Sequence, residues 1–491
     1  MTDSAGITND SARSVKSNAL TTAALAVIQT LTISILAILL DPNDFGLFAI
    51  VLVFVNFGRF LTDFGINNAI IHFQDMDDNS RSSLYWITVV FGLVLFVCFS
   101  LLAPVVALIF GIPDLFTLLL ISNIVFLLLP FGDQFAMLLQ KGFMFPQLNR
   151  IKLLSSIGGS AITIYLAAVG AGAFALVIGN LFNVLIWTAL LLFVGLRRWG
   201  VHFRCQLADI RRYLRFIAFQ FADKSMSFIF KNIDKPLIGF FFGTHLLGLY
   251  SFAWNLAHIP LGKLAPVITQ VGFPALARVQ KSIDKVRRGY EIILDLLSFI
   301  LIPVYFGLFI TTPLIFELLF GHRWDGAIFF MQVFCIMGAM RAVIYPSNSL
   351  SLALGRPDLN FSWSFFYLAL FLCALTIAIG THDIYLFTLG MLSIDVILLL
   401  RLHHHFHAPL LRQHSKGLYS PIYTNALFSA VMLATVHCVN ILGFFSGFTK
   451  IGIMVFLGMA LYAGLHLLFN LKKVLFLCKH AFGRVNADNV N

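Results

Sequence analysis

Residues 84–110 read LYWITVVFGLVLFVCFSLLAPVVALIF and contain no charged side chain. A helix needs about 20 apolar residues to cross the hydrocarbon core of a bilayer, so this stretch is long enough to span it. A strand of a membrane barrel would instead alternate polar and apolar residues over about 10 positions. The stretch therefore predicts a transmembrane helix and indicates a helical membrane protein.

The composition of the whole chain agrees with this interpretation. Of its 491 residues 59% are hydrophobic and 11% are charged, whereas soluble proteins carry about 45–50% apolar and about 25% charged residues. This excludes a soluble enzyme, and the net charge of +11 is too thinly spread for a nucleic-acid-binding protein. The six cysteines form no CxxC pair, so we expect no zinc site, redox pair or other cofactor.

Apolar runs separated by polar or helix-breaking residues predict an all-α polytopic membrane protein with fourteen transmembrane helices. The predicted spans are roughly 19–40, 45–66, 84–110, 115–138, 153–170, 173–195, 214–242, 247–272, 290–312, 326–352, 361–380, 384–402, 422–443 and 450–471.

Lysine and arginine lie mostly on one side of this map. With the N-terminus in the cytoplasm, 25 of the 33 basic residues fall in cytoplasmic segments, and two fall in the outer loops. Cytoplasmic segments of membrane proteins carry such an excess, which supports an even number of spans with both termini cytoplasmic. The outer loops are short, the longest being about 313–325, which argues against a polymerase or ligase and leads us to expect no enzyme.

Two pairs of short motifs indicate an internal repeat. DPNDFGLF (41–48) matches GTHLLGLY (243–250) at an offset of 202 residues, and APVVALIFG (103–111) matches TPLIFELLFG (312–321) at nearly the same offset. Because six spans separate the copies, both copies face the same way in the membrane. Parallel repeats of this kind suit alternating access at a cavity between two lobes.

The repeat gives the predicted domain organisation. It comprises a cytoplasmic tail (1–18), an N-lobe of helices 1–6 (19–195), a basic cytoplasmic linker (196–213), a C-lobe of helices 7–12 (214–402), two extra helices (422–471) and a cytoplasmic tail (472–491).

Charged residues within the predicted spans are the candidate site. An ionised group at the centre of a bilayer costs about 2.5–3.5 kcal/mol, so it faces protein or water and is a functional candidate. Basic side chains lie deepest and suit an anion such as a phosphate, a diphosphate or an acidic sugar. The substrate-binding candidates are Arg59, Lys224, Lys231, Lys263 and Arg341, with Asn255 and Tyr345 for sugar hydroxyls, and the ion-coupling candidates are Asp63, Asp223 and Asp395.

Internal charge pairing is the alternative for these residues, because six acids also lie within the spans; Arg59 with Asp63 is the clearest pair. The motif HHHFH (403–407) is interpreted as a basic patch at the membrane interface. DMDD (75–78) is interpreted as a solvated loop rather than a metal–nucleotide site. No GxxxxGK[ST] motif occurs, so transport would be driven by a gradient or a partner.

The stretch LLDPNDFGLFAIVLVFVNFGRFLTDFGINNAII (39–71) resembles the opening of bacterial polysaccharide exporters of the colanic-acid exporter type. These exporters belong to the multidrug/oligosaccharidyl-lipid/polysaccharide flippase superfamily. Further similar stretches are NIDKPLIGFFFGTHLLGLYSFAWNLAHIPLGKL (232–264), FGHRWDGA (320–327) and LALGRPDL (352–359). The signature positions that match are Asn232, Asp234, Lys235, Gly248, Tyr250 and Pro260.

The resemblance implies a fold like that of the multidrug and toxin extruders. It also implies a flippase in the bacterial inner membrane that moves an undecaprenyl-diphosphate-linked oligosaccharide for exopolysaccharide or lipopolysaccharide biosynthesis. Membrane lipids, a polysaccharide polymerase and export machinery are the implied partners. An ion-coupled small-molecule antiporter of the multidrug type is the alternative, although its midplane would be acidic where this one is basic.

Overall fold

The computed structural model describes residues 2–63, 78–142, 144–200, 234–411, 417–442 and 447–470, and every element in these ranges is helical. The α-helices are α1 (Thr2–Leu39), α2 (Pro42–Asp63), α3 (Asp78–Phe110), α4 (Pro113–Lys141), α5 (Phe145–Ala168), α6 (Ala173–Arg198), α7 (Asp234–Arg278), α8 (Ile283–Ile315), α9 (Asp325–Ile344), α10 (Pro346–Ala353), α11 (Pro357–Thr381), α12 (Ile384–Leu402), α13 (Ala408–Leu411), α14 (Ser420–Leu442) and α15 (Gly447–Phe469). Two π-turns, Phe316–Phe320 and His403–His407, continue α8 and α12.

Thirteen helical segments in the described ranges are long and apolar enough to cross a membrane. They match all the predicted spans except the seventh, whose residues 214–233 lie outside the described residues. The last part of that span begins α7. The backbone leaves helical geometry at Gly243, with φ of 84° and ψ of 169°, which divides the seventh from the eighth span where the sequence predicts a break.

The predicted outer loop at 313–325 is wrong in its extent. Helix α8 continues to Ile315 and then as a π-turn to Phe320, and the chain turns at Gly321, whose φ is 74°. Glycine adopts this positive φ without the steric penalty that a side chain would bring. Pro313 does not end the helix, although proline removes a backbone donor. The connection is therefore shorter than the sequence predicts.

The chain divides into two compact units, residues 1–252 and residues 253–491. In the first unit α3 packs on α4, and α6 packs on both α4 and α5. Their buried side chains form a cluster around Leu84, Tyr85, Phe135 and Leu191. On α4, Leu138 and Leu139 of the same cluster follow Phe135 by three and four residues, which is the spacing that presents one apolar face to neighbouring helices.

In the second unit α8 is the central helix, because it packs on α9 and α14, while α9 packs on α12 and α14 on α15. The helices α14 and α15, which lie outside the predicted repeat, contact α8 through Met432, Val436, Met454 and Tyr462. Their position on α8 makes that helix the support for both of the extra helices.

The two copies of the repeated motif contact each other within the first unit. A side chain at Gly46 would overlap the backbone of Thr244, and a side chain at Gly248 would overlap the backbone of Pro42. Gly46 and Gly248 are equivalent positions of the two copies at the offset of 202 residues, and so are Pro42 and Thr244. The two contacts are therefore reciprocal, as in a two-fold-related interface. Glycine at both positions lets the helix ends approach to backbone contact.

Candidate functional site

The strongest polar feature of the described helices is an ion pair in the second unit. The guanidinium Nε of Arg341 on α9 donates to Asp395 Oδ2 on α12 at 2.7 Å. The Asp395 side chain is 2% exposed, whereas that of Arg341 is 23% exposed. The pair thus joins a predicted substrate-binding residue to a predicted ion-coupling residue, and the arginine remains accessible on one side.

An aromatic side chain of α7 lies beside Arg341. Its guanidinium carbon lies 5.3 Å from the centroid of the Trp254 ring, within the range of a cation–π interaction. His258, one helical turn later and exposed, stacks on Trp254 with 5.5 Å between centroids and 11° between planes. The indole of Trp254 therefore lies close to both the guanidinium and the imidazole.

Tyr305 of α8 shapes this part of α7. Its hydroxyl donates to the Ala257 carbonyl at 3.0 Å and accepts from the Leu261 N–H at 3.2 Å. These are the two groups that would bond each other in an uninterrupted helix, so the hydroxyl is inserted into the helical hydrogen-bond ladder. The insertion lies beside Pro260, one of the signature positions of the family resemblance.

Trp254, His258, Tyr305 and Arg341 line a small cavity that holds about 10 Å³, roughly the room for one water molecule. Gly338 of α9 forms part of the wall and lies against the Tyr305 ring. A phosphate or sugar does not fit in this conformation.

A second arginine lies in the first unit. The charge of Arg59 on α2 interacts with Asp133 on α4, and Trp187 Nε1 on α6 donates to Asp133 Oδ1 at 3.4 Å. This is again an arginine, an aspartate and a tryptophan from three helices. The predicted pairing of Arg59 with Asp63 is not tested, because the Asp63 side chain lies outside the described residues, and Asp133 provides an acidic neighbour for Arg59.

The structure places the other predicted site residues separately. Asn255 is exposed on α7 beside Trp254, and Lys263 is half-buried two turns further along the helix. Tyr345, between α9 and α10, hydrogen-bonds to Thr269 of α7. Lys224, Lys231 and Asp223 lie outside the described residues, as does the signature residue Asn232.

Sequence reasoning missed the contributions of His258 and Tyr305. His258 follows Trp254 by four residues, the spacing that puts two side chains on one helix face, so it was available as a signal. Tyr305 follows no pattern in the sequence, since its hydroxyl acts on a helix elsewhere in the chain. In the part of the chain that the structure describes, no cluster of His, Cys, Asp and Glu is suited to hold a metal ion.

The interpretation of HHHFH as an interfacial basic patch is wrong for His407. That side chain is fully buried, and its Nε2 lies 2.9 Å from the Tyr290 hydroxyl while its Nδ1 lies 2.7 Å from the Tyr419 hydroxyl. The π-turn directs the ring inward, and π-turns often occur where side chains need an unusual direction. His407 therefore links α8 to the residues before α14.

A large apolar cavity of about 570 Å³ lies in the second unit, between α8, α14 and α15. Its walls are almost entirely aliphatic, aromatic and methionine side chains, including Val304, Leu308, Met432, Met459 and Tyr462. Its volume falls in the range of about 300–1,000 Å³ typical of small-molecule sites. Apolar walls of this kind accommodate a hydrocarbon chain.

The sequence was compared with known families and proteins. A family described as "Polysaccharide biosynthesis protein" matches residues 35–329. The lipopolysaccharide biosynthesis protein WzxC of Escherichia coli (strain K12) is 30% identical, over 83% of this chain and 84% of that protein. The teichuronic acid biosynthesis protein TuaB of Bacillus subtilis (strain 168) is 28% identical, over 77% of this chain and 78% of that protein.

Among solved structures, the inward closed conformation of the lipid II flippase MurJ has a similar fold, with a TM-score of 0.74. The alignment covers 93% of this chain and 99% of that one, at 14% sequence identity. At this identity the likeness shows the fold, a helical arrangement shared with a polytopic membrane transporter. It confirms the predicted fold class.

Proposed function

Because the chain belongs to this family of polysaccharide biosynthesis proteins, we propose that it is a flippase that moves a lipid-linked oligosaccharide across a membrane by alternating access. The proposed substrate is an undecaprenyl-diphosphate-linked repeat unit. The relatives named for polysaccharide biosynthesis and the fold of the lipid II flippase support this function. We further propose the bacterial inner membrane as its location, with both termini cytoplasmic and a polymerase and export machinery as partners.

The single observation that carries the proposal is the ion pair of Arg341 with Asp395. A guanidinium offers a planar fork of donors that matches phosphate oxygens, and it is the preferred side chain for binding them. In the membrane interior it must be neutralised by an anion. Asp395 serves as that anion in the described conformation. In the substrate-bound conformation, the diphosphate would replace Asp395 as the partner of Arg341.

The exchange of anions links transport to a proton. Once the diphosphate holds Arg341, Asp395 loses the positive charge that stabilises its ionised form, and the buried carboxylate then takes up a proton. When the diphosphate is released on the other side of the membrane, Arg341 pairs with Asp395 again. The Asp395 carboxyl group then gives its proton to the water on that side. In this proposal Arg341 binds the substrate and Asp395 couples transport to the proton, and each role depends on the other.

Other residues serve the remainder of the substrate. The stack of Trp254 and His258 offers flat apolar faces to sugar rings, and Asn255 and Tyr345 offer groups for sugar hydroxyls. Lys263 adds positive charge on the same helix, and Arg59, Lys224 and Lys231 are proposed to hold the anionic head at other stages. The polyprenyl chain would occupy the apolar cavity beside α14 and α15.

The test is a leaflet assay with the purified protein in vesicles that contain a fluorescent undecaprenyl-diphosphate glycan. Replacing Arg341 by Glu should abolish movement of the glycan to the other leaflet, since a carboxylate repels the diphosphate. The matched control is Arg356→Gln, which removes an arginine whose side chain is 48% exposed and pairs with Asp358. The control should retain normal movement.

Two results would contradict the proposal. Unchanged glycan movement in Arg341→Glu would remove Arg341 from head-group binding. No movement by the wild-type protein with several glycans, together with gradient-driven transport of a water-soluble cation, would favour the multidrug-type antiporter instead.

A further inference from the structure

Two arginines occupy equivalent places at the ends of the two repeats. Residues 196–197 and residues 400–401 both read Leu-Arg, at an offset of 204 residues that is close to the offset of the repeated motifs. Arg197 lies in the last turn of α6, and Arg401 lies in the last turn of α12. These helices are the sixth and the twelfth predicted spans, so each arginine ends the last helix of its lobe.

Both guanidinium groups lie on a phenylalanine ring. The Cζ atom of Arg197 is 3.9 Å from the centroid of the Phe193 ring, one turn earlier on α6. The Cζ atom of Arg401 is 4.0 Å from the centroid of the Phe366 ring, which belongs to α11. Both distances are within the range of a cation–π interaction. Because one ring comes from the same helix and the other from a neighbouring helix, the two repeats reach the same arrangement by different routes.

The positive charge of each arginine is not neutralised by the protein. Within the described residues, neither guanidinium has an acidic side chain or another hydrogen-bond acceptor as its partner. Arg341 and Arg356, in contrast, pair with Asp395 and Asp358. A phenylalanine ring carries no net charge, so the charge and the N–H donors of both guanidinium groups remain for an anion from outside the protein.

Apolar side chains beside these arginines are exposed on the surface of the helices. Leu196 and Leu400, which directly precede the arginines, are 51% and 73% exposed, and Phe193 is exposed as well. Exposed apolar side chains on a membrane helix contact the acyl chains of lipids, whereas an arginine at the helix end reaches the level of the headgroups. Each site therefore offers an apolar surface to an acyl chain and a guanidinium to a phosphate.

We propose that the ends of α6 and α12 form two equivalent binding sites for the headgroup of an anionic phospholipid, in each of which an arginine held on a phenylalanine ring binds the lipid phosphate. The planar fork of N–H donors on a guanidinium matches phosphate oxygens. A zwitterionic lipid fits less well, because its own ammonium group neutralises its phosphate. The inference rests on the proposed function only for the side of the membrane, which is the cytoplasmic leaflet, where anionic lipids give the surface a negative potential.

The experiment compares two photoreactive lipids in vesicles that contain the purified protein. One lipid is a phosphatidylglycerol and the other a phosphatidylcholine, and both carry a diazirine at the same place near the top of one acyl chain. Labelled peptides are identified by mass spectrometry, which gives the ratio of the two labels for each peptide. In the wild-type protein, this ratio should be roughly fivefold higher at the ends of α6 and α12 than at the exposed residues Leu101 and Leu108 of α3.

Substitutions then assign the ratio to single arginines. Arg401→Gln should lower the ratio at the end of α12 and leave the ratio at the end of α6 unchanged, and Arg197→Gln should do the reverse. Each variant retains one of the two sites, which serves as its internal control for folding. Arg356→Gln removes an exposed arginine that pairs with Asp358, so both ratios should stay at their wild-type values.

A further variant separates a held guanidinium from a free surface charge. Phe366→Leu retains Arg401 but removes the ring beneath it, so the ratio at the end of α12 should fall about twofold. An unchanged ratio in this variant would show a free surface charge and would overturn the proposal.

Two other results would also overturn the proposal. Equal labelling by the two lipids at the ends of α6 and α12 would show that the headgroup is not recognised. A fall of both ratios in either arginine variant would show a diffuse attraction by the whole basic surface. The assay contains no glycan, so failure of the flippase function leaves its result unchanged.

Discussion

At the scale of single residues, the ion pair of Asp395 with Arg341 conflicts with the role proposed for Asp395 in transport. Asp395 neutralises Arg341 in a buried position, and under the proposed function it releases Arg341 when the anionic head of the substrate binds. A buried ion pair is weak as a source of stability, because desolvation of two charges offsets most of their attraction. Under the proposed function, the pair serves exchange of the anion at Arg341 rather than stability.

We therefore predict that Asp395→Ala lowers the free energy of unfolding by about 3–5 kcal/mol, the range for an ion pair that loses one buried partner. The double variant Arg341→Met with Asp395→Leu should recover most of this loss but none of the transport. Thermal unfolding in detergent and the leaflet assay measure the two properties separately. Full transport by the double variant would make the pair structural only.

At the scale of elements, the hydrogen bonding of α7 depends on a side chain from another helix. Pro260 weakens the local hydrogen-bond ladder, and the Tyr305 hydroxyl of α8 bridges Ala257 and Leu261. Trp254, on the same helix before Pro260, lies against Arg341. The bridge therefore connects α8 to the segment of α7 that carries Trp254.

Replacing Tyr305 by Phe removes the bridging hydroxyl and leaves two buried backbone groups without it. We expect a loss of about 1–3 kcal/mol in the free energy of unfolding, the cost of leaving buried polar groups unsatisfied. Tyr423→Phe is the matched control, since Tyr423 is 72% exposed and should tolerate the change. Equal melting temperatures for the two variants would show that the bridge contributes nothing.

At the scale of the whole molecule, the internal repeat meets itself at two glycines. Gly46 and Gly248 take equivalent positions in the two motif copies, and each lies against the backbone of the other copy. A contact without side chains is the closest that two helix ends can make. Such a contact fixes the distance between the motif copies.

We predict that Gly46→Ala and Gly248→Ala each reduce both stability and glycan movement, because a methyl group would overlap backbone atoms that cannot move aside. Gly452→Ala and Gly464→Ala are controls in α15, where a methyl group meets no atom within 4 Å. Those controls should change the free energy of unfolding by less than about 1 kcal/mol. Thermal unfolding and the leaflet assay check both pairs, and the same loss in the controls would remove the special role of the motif contact.

The sequence by itself determined the class of the protein, the positions of thirteen of the predicted spans and the existence of the repeated motif. These features are local, because the length of an apolar run and the residues that interrupt it decide whether a helix crosses the membrane. The sequence also identified Arg341 and Asp395 as important, since a charge in an apolar run is costly wherever its partner lies.

Only the tertiary structure decided which charges meet and which side chains shape the helices. Arg341 pairs with Asp395 across 54 residues, and Tyr305 reaches a backbone 44 residues away. His407 is buried although its neighbours in HHHFH suggest an exposed patch. Such contacts depend on how helices pack against one another, and packing joins residues whose separation along the chain carries no periodic signal.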